Sequence, residues 1–393
     1  MVDWVNFSQL SGSGDTEITV TVSANSGATR DVDILVSGIS KSLIVPLTQM
    51  PSPSHSELTF RVSSGGTISW YRDSWQFHPA AADYVPTISY SKNDGPWSTP
   101  SSASTVPVVA GDVLKFRGDN DNIIMLDFTS NYAKFSVEGC IMSLIDSTNY
   151  LSVDSVCDWG LRYKFYGCTG ITDASGLVMP SGNLGYRACH SMFGYCSNLL
   201  YGPELPSTTL HQEAYVAMFH ACYSLVSGPT VLPATTVPRS VYSDMFTNCS
   251  AMTTAPEICA TTLWDSDYNA VGGGEFMQMF DGCKSLVNPP SVLWPTALGP
   301  GTCYNMFQSC SSLTQSPFIQ AQTMDEASCE RMFWGCSSLS GITCLATNIT
   351  ASRATQDWVS GVSQTGVFKK SSSMNSWPRG RSGIPNGWTV QDI

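Results

Sequence analysis

The feature that most constrains this chain is a short motif of the form Met-Phe-x-x-Cys that recurs through its second half. Aligned on cysteine, the units read KFYGC (Cys168), MFGYC (Cys196), MFHAC (Cys222), MFTNC (Cys249), MFDGC (Cys283), MFQSC (Cys310) and MFWGC (Cys336). Successive anchors lie 28, 26, 27, 34, 27 and 26 residues apart. Other columns hold the same register. Three residues after each anchor stands Ile171, Leu199, Leu225, Met252, Leu286, Leu313 or Leu339, and seven after it, in the five central units, Pro203, Pro229, Pro256, Pro290 or Pro317. A third apolar column holds Leu210, Val237, Leu263, Leu298, Met324 and Ile349. One supersecondary unit every ~27 residues cannot bury its apolar face alone, so the units must stack. Residues 161–349 are therefore predicted to form a solenoid of seven units.

Within a unit the apolar positions fall at −7, −4, −3 and 0 relative to cysteine. That spacing predicts a short helix ending near the anchor. The Ser-Leu-x-x-x-x-Pro stretch that follows predicts an extended segment, because proline ends helices and biases its predecessor towards β. The long fourth interval contains YNAVGGGEF, and Gly272–Gly274 mark an inserted loop.

The residues ahead of the repeats read differently. TEITVTVSA alternates strictly, and DVDILVSG and SLIVPLTQ follow after turn signals, so 1–50 is predicted as a small β domain. Residues 51–56 are a Pro/Ser linker. LTFRV, TISWY, TISYS, VPVVA, VLKFRG and AKFSV predict a second small β domain over 57–137, with a hairpin turn at Asp94-Gly95. Residues 138–160 are expected to cap the solenoid at its N-terminal end. The segment 350–393 leaves the repeat register, carries Trp358, Trp377 and Trp388, and is expected to be the C-terminal cap.

Only 13% of the 393 residues are charged, against about 25% in ordinary soluble domains, and the net charge is −12. Such an acidic chain repels phosphate backbones, so no nucleic-acid partner is expected. The first twenty residues lack the basic and apolar regions of a signal peptide, and no stretch has the length of a membrane span, so no membrane association is expected.

Fourteen cysteines invite metal or disulfide chemistry. The column seven before the anchor argues against both, reading Leu161, Cys189, Tyr215, Tyr242, Phe276, Cys303 and Cys329. It requires an apolar body, not a sulfur bond. The anchors Cys168, Cys196, Cys222, Cys249, Cys283, Cys310 and Cys336 are read as buried free thiols that mark the packing register. There is no Cys-x-x-Cys pair, and His55, His78, His190, His211 and His220 show no ligand spacing. No metal site and no cofactor are expected.

Arg117-Gly118-Asp119 spells an adhesion tripeptide but reads as a strand end running into a turn. The run Asp119-Asn120-Asp121-Asn122 lacks the glycine and distant glutamate of a calcium loop. Trp70, Trp75, Trp97 and Tyr90 suit either a sugar-stacking platform or the core of the second β domain, and the core is favoured. No nucleophile elbow, phosphate loop or paired-carboxylate arrangement is present, so catalysis is not expected.

The repeats, with their MF-x-x-C-S-S-L, proline and TTL columns over about residues 160–349, resemble BspA-like leucine-rich repeats of Bacteroidetes surface proteins and their phages. The tail WVSGVSQTGVF…GIPNGWTV resembles the ending often attached to such arrays. The N-terminal stretch DWVNFSQLSGSGDTEITVTVSANSGATRDVDILVSG, followed by SLIVPLTQ, resembles about half of a BACON domain, an immunoglobulin-like sandwich linked with carbohydrate or mucin binding. These resemblances imply a multidomain protein in which immunoglobulin-like β domains precede a solenoid of one short helix and one strand per repeat. They imply adhesion without turnover: a crAss-like phage head fibre, decoration protein or tail-associated protein displaying the solenoid to a host glycan or mucin. The half-domain would then attach to other virion proteins, within a homo-oligomer such as a trimer. The alternative is a Bacteroidetes cell-surface or secreted adhesin. A glycan-degrading enzyme would need a catalytic module for which the chain has no evident room.

Overall fold

The computed structural model describes residues 5–7, 20–22, 30–37, 42–49, 56–72, 87–100, 104–120, 126–263, 274–374 and 377–393. Trp75, Asp121, Asn122, linker residues 51–55 and the Gly272-Gly273 part of the inserted loop lie outside them. The chain divides into two compact units, Met1–Ser54 and His55–Ile393.

In the first unit β1 (Val5–Phe7) pairs antiparallel with β2 (Val20–Val22), and β3 (Arg30–Ser37) with β4 (Ser42–Gln49). The second pair runs without a slip from Arg30↔Gln49 to Ser37↔Ser42.

The second unit opens with two packed sheets. One contains β5 (Leu58–Ser64), β7 (Ile88–Lys92), β9 (Val113–Gly118), β11 (Lys134–Cys140) and β12 (Ile171–Val178), in the order β12-β11-β5-β9-β7. The other contains β6 (Gly66–Arg72), β8 (Ser104–Val108) and β10 (Leu126–Asn131), in the order β10-β6-β8. Alternate side chains face inward, as the pleat requires: Leu58, Phe60 and Val62 from β5, Leu114 and Phe116 from β9, Phe135 and Val137 from β11. Trp70 from β6 meets the Phe116 ring at 5.3 Å, and Phe60 meets Phe128 of β10 at 5.1 Å. The hairpin turn after β7 is centred on Asn93-Asp94, one residue before the expected pair. Both have positive φ, 53° and 54°, the combination that matches the strand twist.

This sandwich does not end before the solenoid begins. β12 belongs to the first coil yet pairs in parallel with β11, and Phe128 stacks on Phe165 with centroids 5.6 Å apart. Phe165 in turn stacks on Phe193 at 5.2 Å. One apolar core therefore runs from the sandwich into the repeats.

The repeats form a β-solenoid of about eight turns. Coils contribute two-residue strands that pair in parallel with their neighbours, such as Val231–Leu232 with Glu257–Ile258 and Thr236–Val237 with Thr262–Leu263. The second of these ladders carries the Leu210/Val237/Leu263 column. The +3 column, from Ile171 to Leu339, is fully buried in all seven units.

The expected helix in each repeat is absent. The Met-Phe-x-x-Cys segment is instead a ribbon of consecutive turns, in which every fourth residue has positive φ. In one coil these are Arg187 (53°), Ser191 (49°) and Tyr195 (61°). Alternate amides divide their work. The N–H groups of Ala188, His190, Met192 and Gly194 donate to the carbonyl three residues earlier in the same coil. Those of Arg187, Cys189, Ser191, Phe193 and Tyr195 donate to Gln212, Ala214, Val216, Met218 and His220 of the next coil, at 2.7–3.2 Å. A helix would consume every amide internally and leave none for stacking.

The rise per coil explains the choice. Stacked phenylalanines of successive coils lie 5.2–5.6 Å apart, close to the ~4.8 Å strand spacing. Packed helices need ~8–10 Å between axes. A helix in every coil would force the strand ladders apart or bend the array sharply, whereas a flat ribbon of turns keeps both sides at one spacing. The left-handed residues cost ~1–2 kcal/mol each, offset by the inter-coil bonds that this geometry permits.

The ribbon continues once more inside the segment expected to be a cap. Phe333 N–H donates to Trp358 O as Phe307 N–H does to Met332 O, so Trp358 occupies the methionine column of an eighth turn. The strands Gly341–Cys344, Gly366–Lys370 and Trp388–Asp392 extend the parallel sheet to the end of the chain.

Candidate functional site

All seven anchor cysteines are fully buried and none forms a disulfide. Their role is more specific than that of a small hydrophobe. The Sγ of Cys196, Cys222, Cys249, Cys283, Cys310 and Cys336 donates to the carbonyl of the phenylalanine one coil earlier, at 2.9–3.1 Å. The Phe193 carbonyl, for example, accepts both Cys196 N–H and Cys222 Sγ. Cys168, in the first coil, points its Sγ at Ser130 Oγ of the sandwich at 3.8 Å.

Burial pushes these thiols up, Cys336 to about 12, so they carry almost no thiolate at neutral pH. Cys157 is less buried but is also raised, to about 11, by burial first and by the Asp158 charge second. Native-state alkylation followed by peptide mass spectrometry is therefore expected to label half-exposed Cys259 and Cys157 first. Cys157 labelling should accelerate as pH rises, and the anchors should react only on unfolding. Rapid labelling of Cys222 or Cys249 in the folded protein would contradict this packing.

The outward positions of the same ribbon carry different chemistry. Because two of every four ribbon residues face the core, the others form columns along the solenoid surface. In the first two coils these columns are largely aromatic and cationic, with Trp159, Arg162, Tyr163, Tyr166, Tyr186, Arg187, His190 and Tyr195, and His220 extends them into the third. Tyr166 and Tyr195 are 43% and 44% exposed. Ring centroids lie 5.0 Å apart for Tyr163–Tyr166, 5.5 Å for Tyr163–His190, and 5.3 Å for both Tyr166–Tyr195 and Tyr195–His220.

Orientation separates this stripe from the core. The buried phenylalanines are parallel within 16°, so each covers its neighbour's face. The outer rings are splayed, with interplanar angles of 82° for Tyr163–His190, 65° for Tyr166–Tyr195 and 89° for Trp159–Tyr186. Edge-to-face packing leaves ring faces that a parallel stack would close.

Two guanidinium groups are woven into the stripe. Arg162 lies over Trp159 at 4.6 Å and over Tyr163 at 4.1 Å, and its Nη2 donates to Tyr163 Oη at 3.0 Å. Arg187 lies over Trp159 and Tyr186 and forms an ion pair with Glu213 of the next coil. His190 is pulled down to about 3, first by burial and then by the Arg162 and Arg187 charges, so its imidazole is neutral at ordinary pH.

Among the described residues, those singled out from sequence elsewhere do not assemble into a site. Trp70 is core, with its ring 5.2 Å from that of Tyr90, and Arg117 lies over Trp97 at 3.9 Å. The Arg-Gly-Asp tripeptide is held in place. Gly118 ends β9, where a Cβ would stand 2.3 Å from Thr87 O, and Asp119 Oδ1 accepts Ser147 N–H. Asn120 is buried, its amide donating to Thr87 O and accepting Thr87 N–H. Among the described residues no three metal-ligating side chains converge. A groove of about 530 Å³ crosses the C-terminal sheet, lined by Gln315, Thr343, Gly366, Lys369 and Gln391 among others.

The outer stripe was open to sequence reasoning but missed. The registered columns that revealed the core also place Tyr166, His220 and Trp334 two residues before the anchor and Tyr195 one before it. Comparison with family models, with curated proteins and with solved structures finds no match to this chain.

Proposed function

We infer that this is a non-enzymatic adhesion and display protein whose solenoid binds host-surface glycan or mucin through the aromatic stripe of its first three coils. The observation that carries this reading is the splayed, half-exposed ring array on a rigid stack. Apolar ring faces set a few ångströms apart suit the C–H faces of sugar rings, and the surrounding hydroxyl, imidazole and guanidinium groups suit their hydroxyls. The backbone ladder holds the rings in register, so little ordering cost falls on binding.

Display on a virion surface as a head fibre, decoration or tail-associated protein is part of the same proposal. Met1–Ser54 would attach to other virion proteins, and the protein would assemble as a homo-oligomer. This placement rests on the resemblance of the repeats to those of Bacteroidetes surface proteins and their phages.

A glycan and mucin array tests the binding role. The chain is expected to bind a subset of glycans, and Tyr195→Ala is expected to weaken that binding about tenfold or more, as loss of one stacked ring should. Circular dichroism should show an unchanged fold, because Tyr195 is on the surface. Absence of binding on every glycan and mucin surface, or full binding by Tyr195→Ala, would count against the stripe. Immunogold labelling of purified particles against bacterial envelope fractions tests the location.

A further inference from the structure

The aromatic stripe has an uneven charge balance. Arg187 is matched by Glu213, whose carboxylate also lies within 3.5 Å of Tyr186 Oη. Arg162 has no such match: among the described residues no carboxylate lies within ion-pair distance of it. Its guanidinium is half-buried and packed over the rings of Trp159 and Tyr163. Its Nε is shielded from solvent and has no hydrogen-bond partner among the described residues. The Nδ1 of His190, whose ring packs against Tyr163, is likewise buried without a partner among them. The nearest acid in sequence is Asp158, whose Oδ1 accepts Tyr186 N–H.

A half-buried cation with a shielded, unused donor is costly unless a counter-charge compensates it. The rings supply part of that compensation. The edge of a guanidinium is a planar fork matched to carboxylate and sulfate oxygens. The chain as a whole carries −12, so it has no general attraction for polyanions, and an anion requires a local site.

The geometry points to an acidic-sugar subsite centred on Arg162, where a carboxylate or sulfate group on a glycan pairs with the guanidinium while the adjoining sugar ring lies on the Tyr166–Tyr195 rings. This rests on the glycan-binding reading above. It adds the charge class of the ligand and the residue that selects it.

The test compares binding of the full chain to intact mucin, to mucin treated with sialidase and to mucin stripped of sulfate. Wild type is expected to lose about tenfold or more of its affinity on one of the two treatments, the loss of a charge-assisted hydrogen-bond pair. Which treatment does so identifies carboxylate or sulfate. Arg162→Gln should bind intact mucin no better than wild type binds the stripped form, and Arg162→Lys should fall between, keeping charge without the fork. Tyr195→Ala should weaken binding to all three forms.

A readout that needs no variant is the His190 imidazole. An anion docked beside it favours the protonated ring, so its titration followed by NMR should move upward from about 3 when intact mucin glycan is added. Equal affinity for intact, sialidase-treated and desulfated mucin, or acid preference surviving in Arg162→Gln, overturns this subsite and leaves the aromatic stripe standing. Failure of wild type to bind any of the three forms or any arrayed glycan overturns the glycan reading itself, and the subsite with it.

Discussion

Replacing Phe246 with alanine is expected to cut the solenoid into two weakly coupled halves. Phe246 is fully buried and stacks on Phe219 at 5.4 Å and on Phe280 at 5.5 Å, within 6° of parallel on both sides. Truncating a buried phenylalanine costs ~3–5 kcal/mol. In a globular core that loss is shared by the whole domain. Each coil here touches only its neighbours, so the loss falls on the two interfaces that the ring bridges. A single cooperative denaturant transition should become two, with the coils carrying Phe280, Phe307 and Phe333 separating from those built on the sandwich. Hydrogen exchange should place the weak point at the amides of Phe219, Ala221 and Phe246, which donate across those interfaces. Phe246→Leu, which keeps most of the volume, should cost far less. A variant that unfolds in one transition at the wild-type midpoint would show that the ring column does not couple the coils.

The second large effect is expected where the solenoid joins the sandwich. In the column that holds methionine in the six following units, the first unit has Lys164. Its side chain is 1% exposed, and its Nζ lies 3.9 Å from Oδ1 of Asp127, itself 9% exposed, on β10. The backbone closes the same junction, with Phe128 N–H donating to Lys164 O at 2.8 Å. Lys164→Met restores the repeat consensus and would look stabilising from sequence alone. The structure implies the opposite. Removing the cation from a buried carboxylate costs ~3–5 kcal/mol, more than the apolar side chain recovers. Adding Asp127→Leu should return most of that loss, since an apolar replacement of a buried pair is commonly neutral or better. A double-mutant cycle on thermal melting measures the coupling. Additive losses from the two single changes would show that the pair does not act as a unit.

These two residues show where sequence reading succeeds and where it stops. The phenylalanine column was legible because a stack needs the same side chain at the same place in every coil. Lys164 was visible as an exception, but its cause lay on β10, whose sequence LDFTSN lacks clean alternation because Asp127 as well as Phe128 turns inward. The eighth turn was hidden for a related reason: Trp358 stands where methionine stood, so the motif disappears while the hydrogen-bond register continues.

The helix expectation failed on geometry, not on pattern. Apolar residues at −7, −4, −3 and 0 lie on one side of a 3.6-residue helix and equally on one side of a four-residue turn ribbon. No single repeat distinguishes the two. The distinction comes from the neighbouring coil about 5 Å away, which leaves no room for a helix and offers carbonyls to every second amide. The candidate site has the same history. Tyr166, Tyr195 and Arg162 were present as letters, but which rings meet edge to face and which guanidinium lacks a carboxylate among the described residues depend on atoms from separate coils. Periodic burial is written one unit at a time, so the amino-acid pattern alone specifies that this chain stacks and which side chains fill the stack. The rise per coil, the ribbon of turns and the convergence of aromatic and cationic groups on one face emerge when the coils are assembled, because each depends on distances between units that no single unit contains.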